Sequence, residues 1–143
     1  MDFLELLGIK ITKQEPGFVE ASMEVKQHHL QAFGFLHGGV TLALLETVGS
    51  YAGAPYANLE KERPFGVSIN VHHVKRAVLG EVITGTATFK GSEKNLYHFD
   101  VEARDSKGDT ISHGTFDVKI VTLERLAQLE KLEAERSFTK EDR

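Results

Sequence analysis

From Phe18 onward the chain alternates, with Val19, Ala21, Met23 and Val25 set against Glu20, Ser22, Glu24 and Lys26. A period of two puts one set on each face, which predicts a half-buried strand. Further strands are expected over residues 66–74, 82–90, 96–104 and 110–121, the last two joined through Asp105-Ser106-Lys107-Gly108, a hairpin turn signal. Two stretches follow a helical pattern instead. Residues 2–7 (DFLELL) read as one or two amphipathic turns stopped by Gly8. Residues 41–54 (TLALLETVGSYAGA) are apolar around nearly the whole circumference and carry one charge, Glu46. Such a helix is expected to be buried, and Pro55 to end or bend it. Pro16-Gly17 marks a turn, and residues 27–39 and 58–64 read as loops. One antiparallel sheet wrapped around one helix satisfies this order, an α+β fold.

After Thr122 the pattern changes. Leu123, Leu126, Leu129 and Leu132 recur every three residues among Glu124, Arg125, Glu130, Lys131, Glu133 and Glu135. This predicts a C-terminal helix with one apolar stripe, which either packs on its own domain or meets another subunit. Residues 137–143 are expected to be disordered. The main domain is therefore placed at 1–121 and a helical extension with its tail at 122–143.

At 143 residues the chain has the length of one domain, enough to bury a core without disulfides or metal. The absence of cysteine excludes a disulfide framework, a thiolate metal site and a cysteine nucleophile, and fits a reducing cytoplasm. A net charge of -4 argues against a nucleic-acid binder. An anionic ligand would need basic residues clustered locally. The N-terminus lacks the cationic and apolar regions of a signal peptide, and no apolar run approaches membrane-spanning length.

Glu46 is the residue that asks for an explanation. A carboxylate in an apolar helix is costly to bury unless it is paired or used. Gly39, Leu42, Ala43, Gly49, Ser50 and Gly53 share its face by helical spacing, and five of these six are small. The stripe leaves room for a ligand or another chain; a structural carboxylate paired with Arg or His is the other reading. Gly38-Gly39 lies at the helix entrance, where first-turn N–H groups lack intrahelical partners and carry partial positive charge. Such groups polarise a carbonyl oxygen, and a base plus oxyanion donors is the minimum kit for acyl transfer. Eight residues separate Gly38 from Glu46, about 12 Å along one helix. Two antiparallel copies of the helix bring them to one carbonyl, which predicts a two-fold dimer with sites at its interface.

The run Gln31-Ala32-Phe33-Gly34-Phe35-Leu36-His37-Gly38-Gly39, followed by Glu46 and Ser50, resembles the hotdog-fold acyl-CoA thioesterases. It looks most like the branch with the phenylacetate-pathway, Arthrobacter-type 4-hydroxybenzoyl-CoA and 1,4-dihydroxy-2-naphthoyl-CoA enzymes, over roughly residues 5–121. Gln31 seven before Gly38 and Glu46 eight after it make this motif more specific than His-Gly-Gly alone. The resemblance implies hydrolysis of an aryl or medium-chain acyl-CoA to free acid and CoA, with no metal and no cofactor beyond the CoA of the substrate. By it, Glu46 is nucleophile or general base, and the Gly38 N–H polarises the thioester carbonyl. Gln31 positions the carbonyl or the water, His37 shapes the site, and Ser50 holds the water or the carboxylate. It also implies a homodimer as the minimal active unit, with homotetramers common. For His37, an imidazole that ties down the loop backbone is an equal alternative.

The resemblance places the CoA nucleotide and phosphates near Gly66, His73, Val74, Lys75 and Arg76, and near Lys90, Gly91, Ser92 and Lys94. These two loops hold much of the central positive charge, although a solvated charge run accounts for any one lysine as well. Gly91-Ser92 offers N–H and hydroxyl contacts to phosphate. His72 and His73 are strand neighbours pointing to opposite faces, so they share no metal; His28-His29 receives no role. Phe33, Phe35, Tyr51 and Tyr56 either line an aromatic acyl pocket or pack the core. Two other functions compete. A non-catalytic acyl-CoA-binding hotdog module would not need Glu46, and a dehydratase or hydratase would pair His with an acid in motifs this chain lacks. The other main thioesterase branch uses an Asp after the first strand, where Lys26-Gln27-His28-His29 has none.

Overall fold

The alternation that opens the sequence becomes β2 (Phe18–Glu24), with Val19, Ala21 and Met23 buried. The computed structural model describes residues 1–141, with side chains through Ser137. In chain order the elements are α1 (Phe3–Leu7), β1 (Lys10–Glu15), β2, α2 (Gly38–Gly53), β3 (Glu62–His73), β4 (Val82–Glu93), β5 (Leu96–Arg104), β6 (Thr110–Thr122) and α3 (Leu123–Glu141). Asp2 caps α1 by accepting the Glu5 N–H, and Gly8, at a φ of 73°, ends it in the left-handed conformation. Six strands form one antiparallel sheet in the order β1-β2-β4-β5-β6-β3.

The sheet wraps α2. Leu44, Leu45, Val48 and Ala52 of the helix meet Ile83 and Ala87 of β4, Phe99, Val101 and Ala103 of β5, and Phe116 and Val118 of β6. The contact is close because glycines stand where it is made: a Cβ at Gly49 would lie 2.3 Å from the Phe116 ring, and one at Gly85 2.8 Å from Leu44.

Several expectations need correction. β1 was not legible as a strand: KITKQE has no alternating apolar set, because the strand lies at the sheet edge and only Ile11 is partly covered. β3 begins at Glu62, inside the stretch read as a loop. β4 runs on to Glu93, so residues 90–93 are strand rather than a connecting loop. α2 is not covered all round, for Glu46, Ser50 and Tyr51 are exposed. The C-terminal helix forms, but its own domain does not cover its stripe: Leu123, Leu129 and Leu132 stay 38%, 37% and 46% exposed. It is continuous through Glu141, where disorder was expected from residue 137, and residues 142–143 lie outside the described residues. Among the described residues, no helix is long and apolar enough to cross a membrane.

Candidate active site

The entrance of α2 is built by His37. Its Nδ1 accepts the Gly39 N–H at 2.8 Å, and its carbonyl accepts the Val40 and Thr41 N–H groups at 3.0 and 3.3 Å. The Thr41 bond is the first regular helical one; of the four orphan donors, those of Gly39 and Val40 are met by His37, and that of His37 itself by the His29 carbonyl at 2.9 Å. The fourth, the Gly38 N–H, has no acceptor among the described residues and keeps the positive end of the helix dipole for a ligand. His37 thus takes the backbone-tying role and leaves the Gly38 N–H open.

Gly38 opens into a cleft of about 480 Å³ lined by Gln31, Phe33, Phe35, His73, Arg76 and Ser112 among others. The Gln31 side-chain oxygen accepts the Phe33 N–H, so the amide NH₂ is the part that remains for a ligand. His73 comes from the end of β3. Its Nδ1 is 2.7 Å from the Ser112 hydroxyl, and its Nε2 lies 2.9 Å from where a Cβ on Gly38 would stand. Arg76 rests over the Phe35 ring at 4.9 Å.

Glu46 lies elsewhere. It sits two turns along α2 in a second groove of about 460 Å³, lined by Gly39, Ala43, Ser50 and Tyr51 of the helix and by Phe3 and Leu4 of α1. Its carboxylate has no hydrogen-bond or ion-pair partner among the described residues. One oxygen lies 3.5 Å from where a Gly66 Cβ would stand, so Gly66 leaves clearance beneath it. The small-residue stripe is divided. Gly39, Ala43 and Ser50 line this groove, whereas Gly49 and Gly53 are buried against Phe116 and Val118. The structure therefore brings Gln31, Gly38 and His73 together, and Glu46 with Ser50 together, but not the two sets.

The residues assigned to CoA are also separated. His73 pairs with Ser112, which pairs with Ala103 of β5, whereas Ser92 and Glu93 sit by the β4–β5 hairpin opposite Tyr97 and Leu96. Seven strand residues, about 23 Å, lie between these ends of the sheet. Gly91 and Ser92 are held in the ladder rather than in a phosphate-cradling loop, and Lys90 pairs with Asp100 at 3.0 Å. The turn itself is Lys94-Asn95, with Lys94 at a φ of 57°. Lys75 is bound to Asp105 at 2.6 Å and Asp109 at 2.7 Å. Those carboxylates raise its pKa above the ordinary lysine value, and hydrogen bonding to Lys75 lowers that of Asp105. Arg76 next to it has no carboxylate partner among the described residues, so it is the cation of this cleft left to meet an anion. Val74 is exposed beside it. Of the four aromatics, Phe33 and Phe35 line the Gly38 cleft and Tyr51 the Glu46 groove, while Tyr56 stacks on Phe89 at 4.9 Å. His72 faces away from His73 and lies 5.9 Å from His113, and no three metal-ligating side chains converge among the described residues. Ser112 was not singled out in the sequence. It is one more inward position of β6, and only the strand register puts it against His73.

Residues 33–112 match the family model of the thioesterase superfamily. A Staphylococcus aureus protein crystallised as a glutamate-to-alanine variant superposes with a TM-score of 0.81 at 33% identity, over 85% of this chain and 100% of that one. The same protein, called a thioesterase, is known also as a glutamine-to-alanine variant, with a TM-score of 0.77 at 32% identity over 82% and 96%. In sequence the chain is 32% identical over 120 residues to the 1,4-dihydroxy-2-naphthoyl-CoA hydrolase of Listeria monocytogenes, which is 83% of this chain and 97% of that protein. By the family model over more than half of its length and by these relatives, the chain belongs to the thioesterase superfamily, with the hotdog fold, and is a thioester hydrolase.

Proposed function

We propose that the chain hydrolyses an aryl or medium-chain acyl-CoA at a site shared by two copies. Gly38 and Gln31 of one copy hold the thioester carbonyl, and Glu46 of the other attacks it or activates water. The observation that carries this reading is the separation of donor and base. A free N–H and an unpaired carboxylate stand about 12 Å apart on one rigid helix and open into different grooves. A two-fold axis beside α2 pairs each with its counterpart.

Two further features support the axis. β3 ends the sheet, and its outer edge has no partner strand among the described residues; Phe65 and Val67 on it are 44% and 50% exposed. Antiparallel pairing of two such edges sets the His73 end of one sheet beside the hairpin end of the other. Lys94 of one copy and Arg76 of the second then stand at the same end of the joined sheet, where we place the CoA phosphates. The Staphylococcus aureus variants support the choice of residues: the altered glutamate and glutamine are fifteen residues apart there, as Glu46 and Gln31 are here.

In the water route, the water oxygen adds to the carbonyl carbon and its proton passes to Glu46. Negative charge on the former carbonyl oxygen is held by Gly38, and the C–S electrons leave with the CoA sulfur. In the direct route Glu46 adds first and water then opens the resulting anhydride. Phe33 and Phe35 at the Gly38 cleft favour flat or apolar acyl groups. The test is a panel of aryl and aliphatic CoA esters with Glu46→Gln as control. The wild type turns over at least one class, and the variant loses turnover by about 10³-fold or more while still binding ester. Near-normal turnover in Glu46→Gln removes the carboxylate from the mechanism.

A further inference from the structure

The resemblance put His73 among the residues that hold the CoA nucleotide; in the structure its ring lies against Gly38 at the entrance of α2. Side chains on a helix tilt towards its N-terminus, the direction in which the free N–H groups also point. A ring nitrogen 2.9 Å from the Cβ position of Gly38 therefore lies alongside the Gly38 N–H. Nε2 has no partner among the described residues, and it faces the same cleft as the Gln31 amide.

Ser112 decides what this nitrogen offers. It is 1% exposed and lies opposite His73 in the β3–β6 register, and among the described residues its hydroxyl has no hydrogen-bond partner other than His73 Nδ1, at 2.7 Å. If Nδ1 carried the proton and donated to this oxygen, the hydroxyl hydrogen would be buried without an acceptor, which is unfavourable. The satisfied arrangement has the Ser112 hydroxyl donating to Nδ1, which leaves the proton on Nε2. We propose that His73, held in the Nε2–H tautomer by Ser112, is a second donor to the thioester carbonyl oxygen, side by side with the Gly38 amide. This inference rests on the thioesterase reading and deepens it. His73 is then a catalytic residue and Ser112 a positioning residue. The C–S bond breaks as before, with its electrons on sulfur, and the transient oxyanion is shared between a backbone and an imidazole N–H.

Kinetics and ¹⁵N NMR of the imidazoles test this together. In His73→Ala, kcat falls about 100-fold while KM moves by no more than about threefold, as for the loss of one oxyanion donor. His73→Gln, which keeps an N–H of similar reach, recovers part of the loss. In the wild type the His73 signals show a protonated Nε2 and an acceptor Nδ1, and in Ser112→Ala they move to a mixture of tautomers with a lowered kcat. A rise in KM with kcat unchanged assigns His73 to CoA binding and overturns the proposal, as does a protonated Nδ1 in the neutral wild type. A wild type inactive on every ester refutes the hydrolase reading and the carbonyl contact with it, while the ¹⁵N signals still report the hold of Ser112 on the ring.

Discussion

Removing one hydrogen tests the oxyanion assignment most directly. Gly38→Pro replaces the N–H hydrogen with a ring methylene and adds a Cβ. The position is the first of α2, where proline is favoured because that N–H lacks an intrahelical acceptor. His37 before it has φ -64° and ψ 130°, the extended conformation that a residue preceding proline adopts. No hydrogen bond of the fold is lost, and the Gly39 cap on His37 stays. The added Cβ meets His73 Nε2 at 2.9 Å, so the ring must shift by a few tenths of an ångström. Gly38→Ala adds the same Cβ and keeps the N–H, which makes it the control. Folding stability of the proline variant stays within about 1 kcal/mol of wild type, because the smaller unfolded-state entropy offsets the crowding. Turnover separates the two variants. Loss of one preorganised donor costs about 2.7–4 kcal/mol of transition-state stabilisation, so kcat of the proline variant lies about 10²–10³-fold below that of the alanine variant. Single-turnover kinetics on a saturating ester, with urea titrations alongside, give both quantities. Equal kcat in the two variants, within about threefold, refutes the amide as donor.

Three other outcomes follow from the geometry. Mixed Gly38→Pro and Glu46→Gln copies, each inactive alone, regain about a quarter of wild-type activity after unfolding and refolding together, since half the dimers are hybrids with one intact site; no recovery means that each chain holds its own site. Asp105 is held ionised by Lys75, which lowers its folded pKa, so its stabilisation is complete above the unfolded value of about 4 and is lost as pH falls through the folded value. Urea midpoints of Asp105→Asn therefore fall below wild type at pH 7, and the gap narrows towards about pH 2; a constant gap contradicts the linkage. Gly49→Ala gains about 1 kcal/mol of helix propensity but drives a Cβ into the buried Phe116 ring, an overpacking cost of about 1–3 kcal/mol, so the net change measured in urea is destabilising.

What the sequence made legible were features with a local cause. Alternation marks β2 because one face is core and the other solvent. The α2 stretch stands out because the sheet needs an apolar partner, and Glu46 stands out against it. β1 was not legible, because an edge strand with little covering it has no burial pattern to leave in the sequence. The ends of β3 and β4 failed for a related reason: ladder hydrogen bonds extend strands into polar residues that no core selects. Lys75 looked like a phosphate ligand because the carboxylates that neutralise it are thirty residues further on, across a hairpin. The His73–Ser112 contact needs a register between strands that periodicity alone does not set.

The position of Glu46 follows from the same physics as the position of Gly38. A free N–H with helix-dipole character exists only at a helix entrance, so the oxyanion donor belongs in the first turn. The base cannot share that turn usefully. Its carboxylate must approach the carbonyl carbon from outside the plane in which the oxygen is held, and a side chain on the first turn lies beside the donor instead. Placing it two turns along, among Gly39, Ala43 and Ser50, leaves a shallow groove that the helix entrance of another molecule can enter. Under the proposed shared site, the exposure of Glu46 in a single chain is a consequence of this division of labour: the carboxylate has no partner among the described residues because it is kept for a thioester held by a second copy.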